Sequence, residues 1–154
     1  MNYLIDGHNL IPKTGGELSE LDDEARLLAQ LQVFARLGRH RIEVFFDGAP
    51  PGSSGKRQVG VIVAHYVRKG RTADESIVAR LNQLGKEARN WILVTSDRQV
   101  QSEGHVRQAQ VVSSESFAAG LLAAQAEAQL QRRKEPEEMS AEELDAWLRL
   151  FGDE

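Results

Sequence analysis

The sequence has no cysteine, which excludes thiolate zinc sites, cysteine nucleophiles and any disulfide frame. Its stability must therefore come from an apolar core. No apolar run approaches the roughly 18 residues of a membrane span. The opening Met1-Asn2-Tyr3-Leu4-Ile5-Asp6 lacks the basic and long apolar regions of a secretory signal, so a cytoplasmic protein without membrane contact is expected. Excess charge is also scarce. With 19 Lys and Arg against 23 Asp and Glu, the formal net charge is −4, at first sight a poor match for nucleic acid. What is present describes a folded chain: 41% of the 154 residues are hydrophobic and 27% charged, too apolar for disorder. A single domain of this length buries roughly 70% of its unfolded surface.

Apolar runs of strand length occur at Tyr3 to Ile5, Ile42 to Phe46, Val59 to Val63, Trp91 to Thr95 and Ala109 to Val112. Between them lie helical patterns. Leu21, Ala25, Leu28, Leu31 and Ala35 share one face of a helix over 21–37, with Asp22, Asp23 and Glu24 in its first turn and Gly38 as its stop. Ile77, Val78, Leu81 and Leu84 predict a second helix over 73–84, stopped by Gly85. A short helix is expected after Ser96. A longer one over 114–134 turns Phe117, Leu121 and Leu122 inward. Strands alternating with helices predict an α/β fold, with a mainly parallel sheet of about five strands covered on both faces. Beyond the break at Glu135-Pro136, Ser140 and Glu143 have capping-box spacing. Leu144, Trp147, Leu148 and Phe151 then form the apolar stripe of a short amphipathic C-terminal helix, expected to fold back on the same domain.

Three strand-like runs end in aspartate: Leu4-Ile5-Asp6, Phe45-Phe46-Asp47 and Val94-Thr95-Ser96-Asp97. In a parallel sheet all three reach the carboxyl edge, where open α/β proteins place their ligand crevice. Aspartate is also a common turn and cap residue, so each alone means little. Asp74 is the sharper signal, because it shares the apolar helix face of Ile77, Val78 and Leu81, where a carboxylate is costly unless paired or metal-bound. Glu75 either reaches the same site or completes a capping box with Thr72. Asp6, Asp74 and Asp97, with Asp47 behind them, are hard oxygen donors that suit Mg²⁺ or Mn²⁺ rather than Zn²⁺. Such a set fits phosphoryl chemistry. Asn9 could donate to a phosphate or steady a carboxylate, Gly7 permits a sharp turn off the strand, and Ser96 could orient Asp97 or cap a helix. The Gly48 to Lys56 loop fails the Walker spacing, having Pro50 and Arg57 where Gly and Ser or Thr are required. Of four histidines without ligand spacing, only His8 neighbours the acids.

The ordered set Asp6-Gly7-His8-Asn9, Phe46-Asp47-Gly48, Thr72-Ala73-Asp74-Glu75 and Thr95-Ser96-Asp97 resembles the NYN ribonucleases of the PIN-like superfamily, and within them the YacP-like group. The matching pieces span roughly residues 1 to 120. The resemblance implies a three-layer PIN-like α/β fold, with residues 1–135 as the nuclease domain and 136–154 as an extension. It also implies a metal-dependent endoribonuclease, in which catalytic Asp6, Asp74 and Asp97 hold Mg²⁺ or Mn²⁺ and Asn9, Asp47, Glu75 and Ser96 support them. His8 departs from the group, which more often has Tyr there.

An RNA partner requires cations near such a site. From Gly48 to Ala73 the chain carries Lys56, Arg57, Arg68, Lys69 and Arg71 and no acid, and this stretch joins Asp47 to Asp74. Arg98 follows Asp97 directly, and Tyr66 offers either a base-stacking face or a buried ring. Residues 1–112 carry 15 basic and 13 acidic side chains, whereas residues 113–154 carry 4 and 10, so the acidity belongs to the C-terminal end. The alternative to an enzyme is a non-catalytic RNA-binding module of the same fold, acting on or near the ribosome.

Overall fold

The computed structural model describes residues 1–15, 21–50, 52–134 and 149. Six strands form one sheet in the order β3-β4-β2-β1-β5-β6. They are β1 (Asn2–Asp6), β2 (Arg41–Ala49), β3 (Gly55–Val59), β4 (Ile62–Arg68), β5 (Trp91–Val94) and β6 (Gln110–Val112). Every pairing is parallel except β3 with β4. The helices are α1 (Gly7–Leu10), α2 (Leu21–Gly38), α3 (Ala73–Leu84), α4 (Arg98–Val106) and α5 (Ser114–Lys134), with 3₁₀ turns at Ile11–Thr14 and Gly85–Asn90.

The expected α/β architecture is present, with one strand more than expected and a corrected boundary. The run Val59 to Val63 is not a strand but the tip of a hairpin, because Gly60 takes φ +60° and reverses the chain between β3 and β4. The polar Gly-Lys-Arg-Gln of β3 hides this strand from a hydrophobicity reading, as an exposed edge strand should. No helix among the described residues is long and apolar enough to cross a membrane. Of the expected C-terminal helix from Ser140, every residue except Arg149 lies outside the described residues.

Strand alternation divides the core in two. Tyr3, Ile5, Ile42, Val44, Phe46 and Val94 face α2 and α5, meeting Leu27, Leu28, Leu31, Phe117 and Leu121. Leu4, Phe45 and Leu93 face α3 and α4, meeting Ile77, Leu81 and Val100. Two inward assignments are corrected: Ala25 is exposed, with Leu27 buried instead, and Leu122 is exposed while its neighbour Leu121 is buried. In each case the helix phase is turned slightly from the one drawn through the apolar residues. The side chain of Leu21 lies outside those described.

Glu43 is the exception on the α3 face, a buried carboxylate in the middle of β2. It accepts hydrogen bonds from His65 Nε2 at 2.7 Å and from Arg80 Nε and Nη2 at 2.9 and 2.8 Å. His65 stacks on Phe45 with ring centroids 4.3 Å apart, and Arg80 lies over Trp91 at 5.7 Å. Burial alone would raise the Glu43 pKa. The bonds from His65 and Arg80 outweigh it and hold the carboxyl at about 2, against an ordinary 4.5. A carboxyl with a lowered folded pKa stabilises fully above its unfolded value and loses that contribution as pH falls through the folded one.

Glu43→Gln is therefore expected to cost about 3 kcal/mol at pH 7, because it breaks a buried ion pair from one side. Urea denaturation at pH 7 and pH 3 checks this. The wild type should lose part of its advantage over the variant between pH 4.5 and about 2.

Candidate active site

Because β1, β2 and β5 run parallel, Asp6, Asp47 and Asp97 all emerge at one edge of the sheet. Asp6 is the last residue of β1 and is 7% exposed. Asp47 follows Phe46 at an irregularity in β2, where Gly48 takes φ +75° and swings the strand outward. Asp97 is the N-cap of α4, with Oδ1 accepting from the amides of Gln99 at 2.9 Å and Val100 at 3.1 Å. Both cap bonds fall on this one oxygen.

Helix α3 brings Asp74 to the same place. Thr72 caps the helix by accepting from the Glu75 amide at 3.1 Å, which fixes the start of the first turn and with it the direction of Asp74. Glu75 itself is exposed. Asp74 is partly buried.

Electrostatics show that these carboxylates share one environment. Burial pushes the Asp6 pKa up to about 6, with the charges of Asp74 and Asp47 adding to it and the Asn9 amide opposing. The Asp74 carboxyl is raised by burial first, then by Asp97, Asp47 and Glu75. The Asp6 and Asp74 anions are thus disfavoured by burial and by the charges around them, a condition that a cation would relieve. Among the described residues, however, no three His, Asp or Glu side chains are grouped tightly enough to cage a metal ion as they stand. An ion held by one or two carboxylates and otherwise by water fits this donor set, and that is the usual manner of Mg²⁺.

His8 lies between two carboxylates. Its Nδ1 is 2.5 Å from Asp47 Oδ1 and its Nε2 is 2.6 Å from Glu24 Oε2 of α2. The bond to Glu24 foremost, helped by Asp47, raises the His8 pKa against the effect of burial. Each ring nitrogen of His8 thus lies within hydrogen-bond distance of a carboxylate, an arrangement that favours the protonated ring. Asp47, expected as a supporting metal ligand, is thereby engaged on one oxygen by His8.

Asn9 ties three elements together. Its Oδ1 accepts from the Ser96 amide at 2.9 Å and from Ser114 Oγ at 2.5 Å. Ser96 Oγ accepts in turn from the Ser114 amide at 3.0 Å and donates to Glu115 Oε2 at 2.6 Å. Asn9 and Ser96 therefore hold the loops after β1, β5 and β6 in register. Ser114, fully buried, completes that network and was not among the sequence candidates. Its signal was available: it follows β6 as Ser96 follows β5, at the same edge. Gly7 has a role other than a sharp turn, since a Cβ there would collide with the Phe46 ring.

The basic stretch is folded into the β3–β4 hairpin, and its cations are divided between two faces. Lys56 pairs across the strands with His65, so it lies on the α3 side. There it lines a groove of about 430 Å³ with Arg68, Arg71 and Arg80. Arg68 and Lys69 border a smaller cavity beside Ala49 and Gly52. Arg57 points to the opposite face, 5.0 Å over the Tyr66 ring, and Tyr66 packs on Phe46. Tyr66 is therefore a covered ring rather than a free stacking platform. Arg98 is exposed at the first position of α4.

Comparison with known proteins agrees with this fold. The crystal structure of Rae1 (YacP) from Bacillus subtilis superposes with a TM-score of 0.74 at 19% identity, covering 99% of this chain and 91% of that one. A point variant of the same protein gives 0.73 at 19% identity, covering 90% and 86%. No curated protein matches in sequence. The profile of the YacP-like NYN domain matches residues 3–149, and the chain belongs to that family.

Proposed function

We propose that this protein is a metal-dependent endoribonuclease that hydrolyses RNA phosphodiester bonds at the carboxyl edge of its sheet. The observation that carries this reading is the convergence of Asp6, Asp74 and Asp97 on one electrostatically crowded edge, in a chain of the NYN family. Asp6 and Asp74 would hold Mg²⁺ or Mn²⁺, with Asp97 contributing its uncapped oxygen and Asp47 and Glu75 adding negative charge at the rim. A divalent ion bound there supplies polarisation of the phosphate and a more acidic water. The chain's own groups do the rest. Asn9 and Ser96 fix the loops that carry Asp6 and Asp97, and His8 holds Asp47 in place. Lys56, Arg68, Lys69 and Arg71 bind the phosphate backbone beside Asp74, with Arg98 on the other side of the site.

A second reading is favoured by the lack of a ready-made metal cage among the described residues. In it the protein is an RNA-binding module of the same fold, acting on or near the ribosome, with the acids as caps and turn residues.

Cleavage of labelled single-stranded and hairpin RNA in Mn²⁺ or EDTA separates the two. Asp74→Asn should lower the cleavage rate by about 100-fold or more, because losing even a group behind a metal ligand costs 10- to 100-fold. Cleavage that survives EDTA, or an unimpaired variant, rejects the nuclease mechanism.

Asp6→Asn tests the crowding directly. A carboxyl whose folded pKa is raised is destabilising above that pKa, so the variant should be more stable than the wild type without metal at pH 7.5, by about 1–2 kcal/mol. Added Mn²⁺ should raise the melting temperature of the wild type more than that of the variant. Equal responses would show that Asp6 does not bind the ion.

For the phosphate path, the triple change of Lys56, Arg68 and Arg71 to Ala should reduce the salt slope of RNA affinity by about 2. Arg57→Ala, on the other hairpin face, should leave the slope nearly unchanged. The reverse ranking would place the RNA on the α2 side.

A further inference from the structure

Ser114 is the first residue of α5 and is fully buried, yet its hydroxyl does not cap the helix. The cap is its neighbour. Ser113 Oγ accepts from the Ser116 amide at 3.1 Å, and the Ser113 carbonyl accepts from the Phe117 amide at 3.0 Å, which completes the N-cap one residue earlier. A buried hydroxyl must still be satisfied, and that of Ser114 donates to Asn9.

This bond closes a ring. The Ser96 amide can only donate, so the Asn9 atom 2.9 Å from it is the oxygen, and the same oxygen receives Ser114 Oγ at 2.5 Å. The Ser114 amide returns to Ser96 Oγ at 3.0 Å. The segments that follow β1, β5 and β6 are thus linked each to both of the others. Two bonds alone would leave an open chain whose ends can swing, whereas three fix all the separations.

Two corners of the ring adjoin the candidate metal ligands. The backbone amide of Asn9 bonds the Asp6 carboxyl, and Ser96 immediately precedes Asp97. Ser114 bonds to neither acid. Glu115, the next residue, braces the same corner from outside by accepting from Ser96 Oγ at 2.6 Å and pairing with Lys13 Nζ at 3.3 Å.

We propose that Ser114 is a positioning residue, whose hydroxyl closes the ring that sets the separation of Asp6 and Asp97 and with it the affinity of the edge for a divalent ion. It acts through Asn9 and Ser96. A small, rigidly coordinating ion such as Mg²⁺ tolerates little error in the placing of its ligands, so groups behind the ligands matter almost as much as the ligands. The role assigned to Ser114 rests on the metal-site reading of Asp6 and Asp97. The ring itself does not.

The two adjacent serines provide the test. Calorimetric titration with Mn²⁺ in the absence of RNA compares the wild type with Ser114→Ala, Ser114→Thr and Ser113→Ala. Ser114→Ala should bind Mn²⁺ about tenfold more weakly and need about tenfold more of it for half-maximal cleavage. Its RNA affinity in EDTA should stay within about twofold of the wild type, because no phosphate contact is lost. Ser114→Thr keeps the hydroxyl and should recover most of the Mn²⁺ affinity. Ser113→Ala removes the cap, so its melting temperature should fall by about 3 °C while its Mn²⁺ affinity remains that of the wild type. Should Ser114→Ala not fold, Ser114→Cys, with only a weak donor at that place, takes its part in every comparison.

Amide hydrogen exchange gives a reading that needs no ion. The Ser96 amide should exchange about tenfold faster in Ser114→Ala than in Ser113→Ala, the effect of weakening its local closure. Unchanged Mn²⁺ affinity in Ser114→Ala, or an equal loss in Ser113→Ala, overturns the positioning role and leaves the nuclease reading standing. A wild type that neither binds Mn²⁺ nor cleaves RNA overturns the nuclease reading instead. Exchange then decides the ring alone, with equal rates at Ser96 in the two variants rejecting it.

Discussion

The burial of carboxylates beside one another is the constraint on which this structure turns. Asp6, Asp47, Asp74 and Asp97 are carried by four different elements; burial first, and then the charges of their neighbours, make ionisation of Asp6 and Asp74 less favourable. A fold spends stability to keep them there, so the surrounding groups must oppose their separation. The Asn9, Ser96 and Ser114 hydrogen bonds lock the loops from β1, β5 and β6 together with neutral groups. His8 bridges Asp47 and Glu24 on the other side. Thr72 holds the first turn of α3, and the α4 amides take one oxygen of Asp97. The result is a set of carboxylates fixed in place mostly by neutral partners, with His8 as the one titratable group among those partners.

Charge is sorted around this centre rather than averaged. Cations of the hairpin lie on one flank of α3 and acids and amides on the other. An overall charge of −4 conceals this division completely. A polyanionic ligand meets a local field set by Lys56, Arg68, Lys69 and Arg71, because charges more than a Debye length away are largely screened.

Much of this was legible in the sequence for a simple reason. Parallel strands share a direction, so aspartates at the ends of three apolar runs must meet, and the helical phase of Asp74 with Ile77 and Leu81 places it inward. The bounds of α3 and α5 follow from equally local signals, Thr72 and Gly85 for one and Ser114 for the other. What escaped was everything dependent on distant pairing. The polar strand β3 has no apolar signature, and only its antiparallel partner defines it. The opposite orientations of Lys56 and Arg57 require knowing that they are on a strand. Glu24 reaches His8 across the full first helix connection, and no spacing rule connects residues 8, 24 and 47. Ser114 looked like an ordinary helix start. Asp47 looked equivalent to Asp6 and Asp97, but the irregularity beside it and the His8 contact set it apart.

The buried Glu43 cluster has a mechanical meaning as well as an energetic one. Arg80 is the point at which α3 is bolted to the central strand, and Asp74 stands six residues away on the same rod, about 9 Å along its axis. Pivoting that rod by about 6° at its anchor displaces the carboxylate by about 1 Å, a shift that can lower a reaction rate by about 100-fold. The lever also carries Ala79, which borders both the basic groove and the cleft between α3 and α4. A substitution in the interior would therefore be felt at Asp74 and along the walls of both clefts.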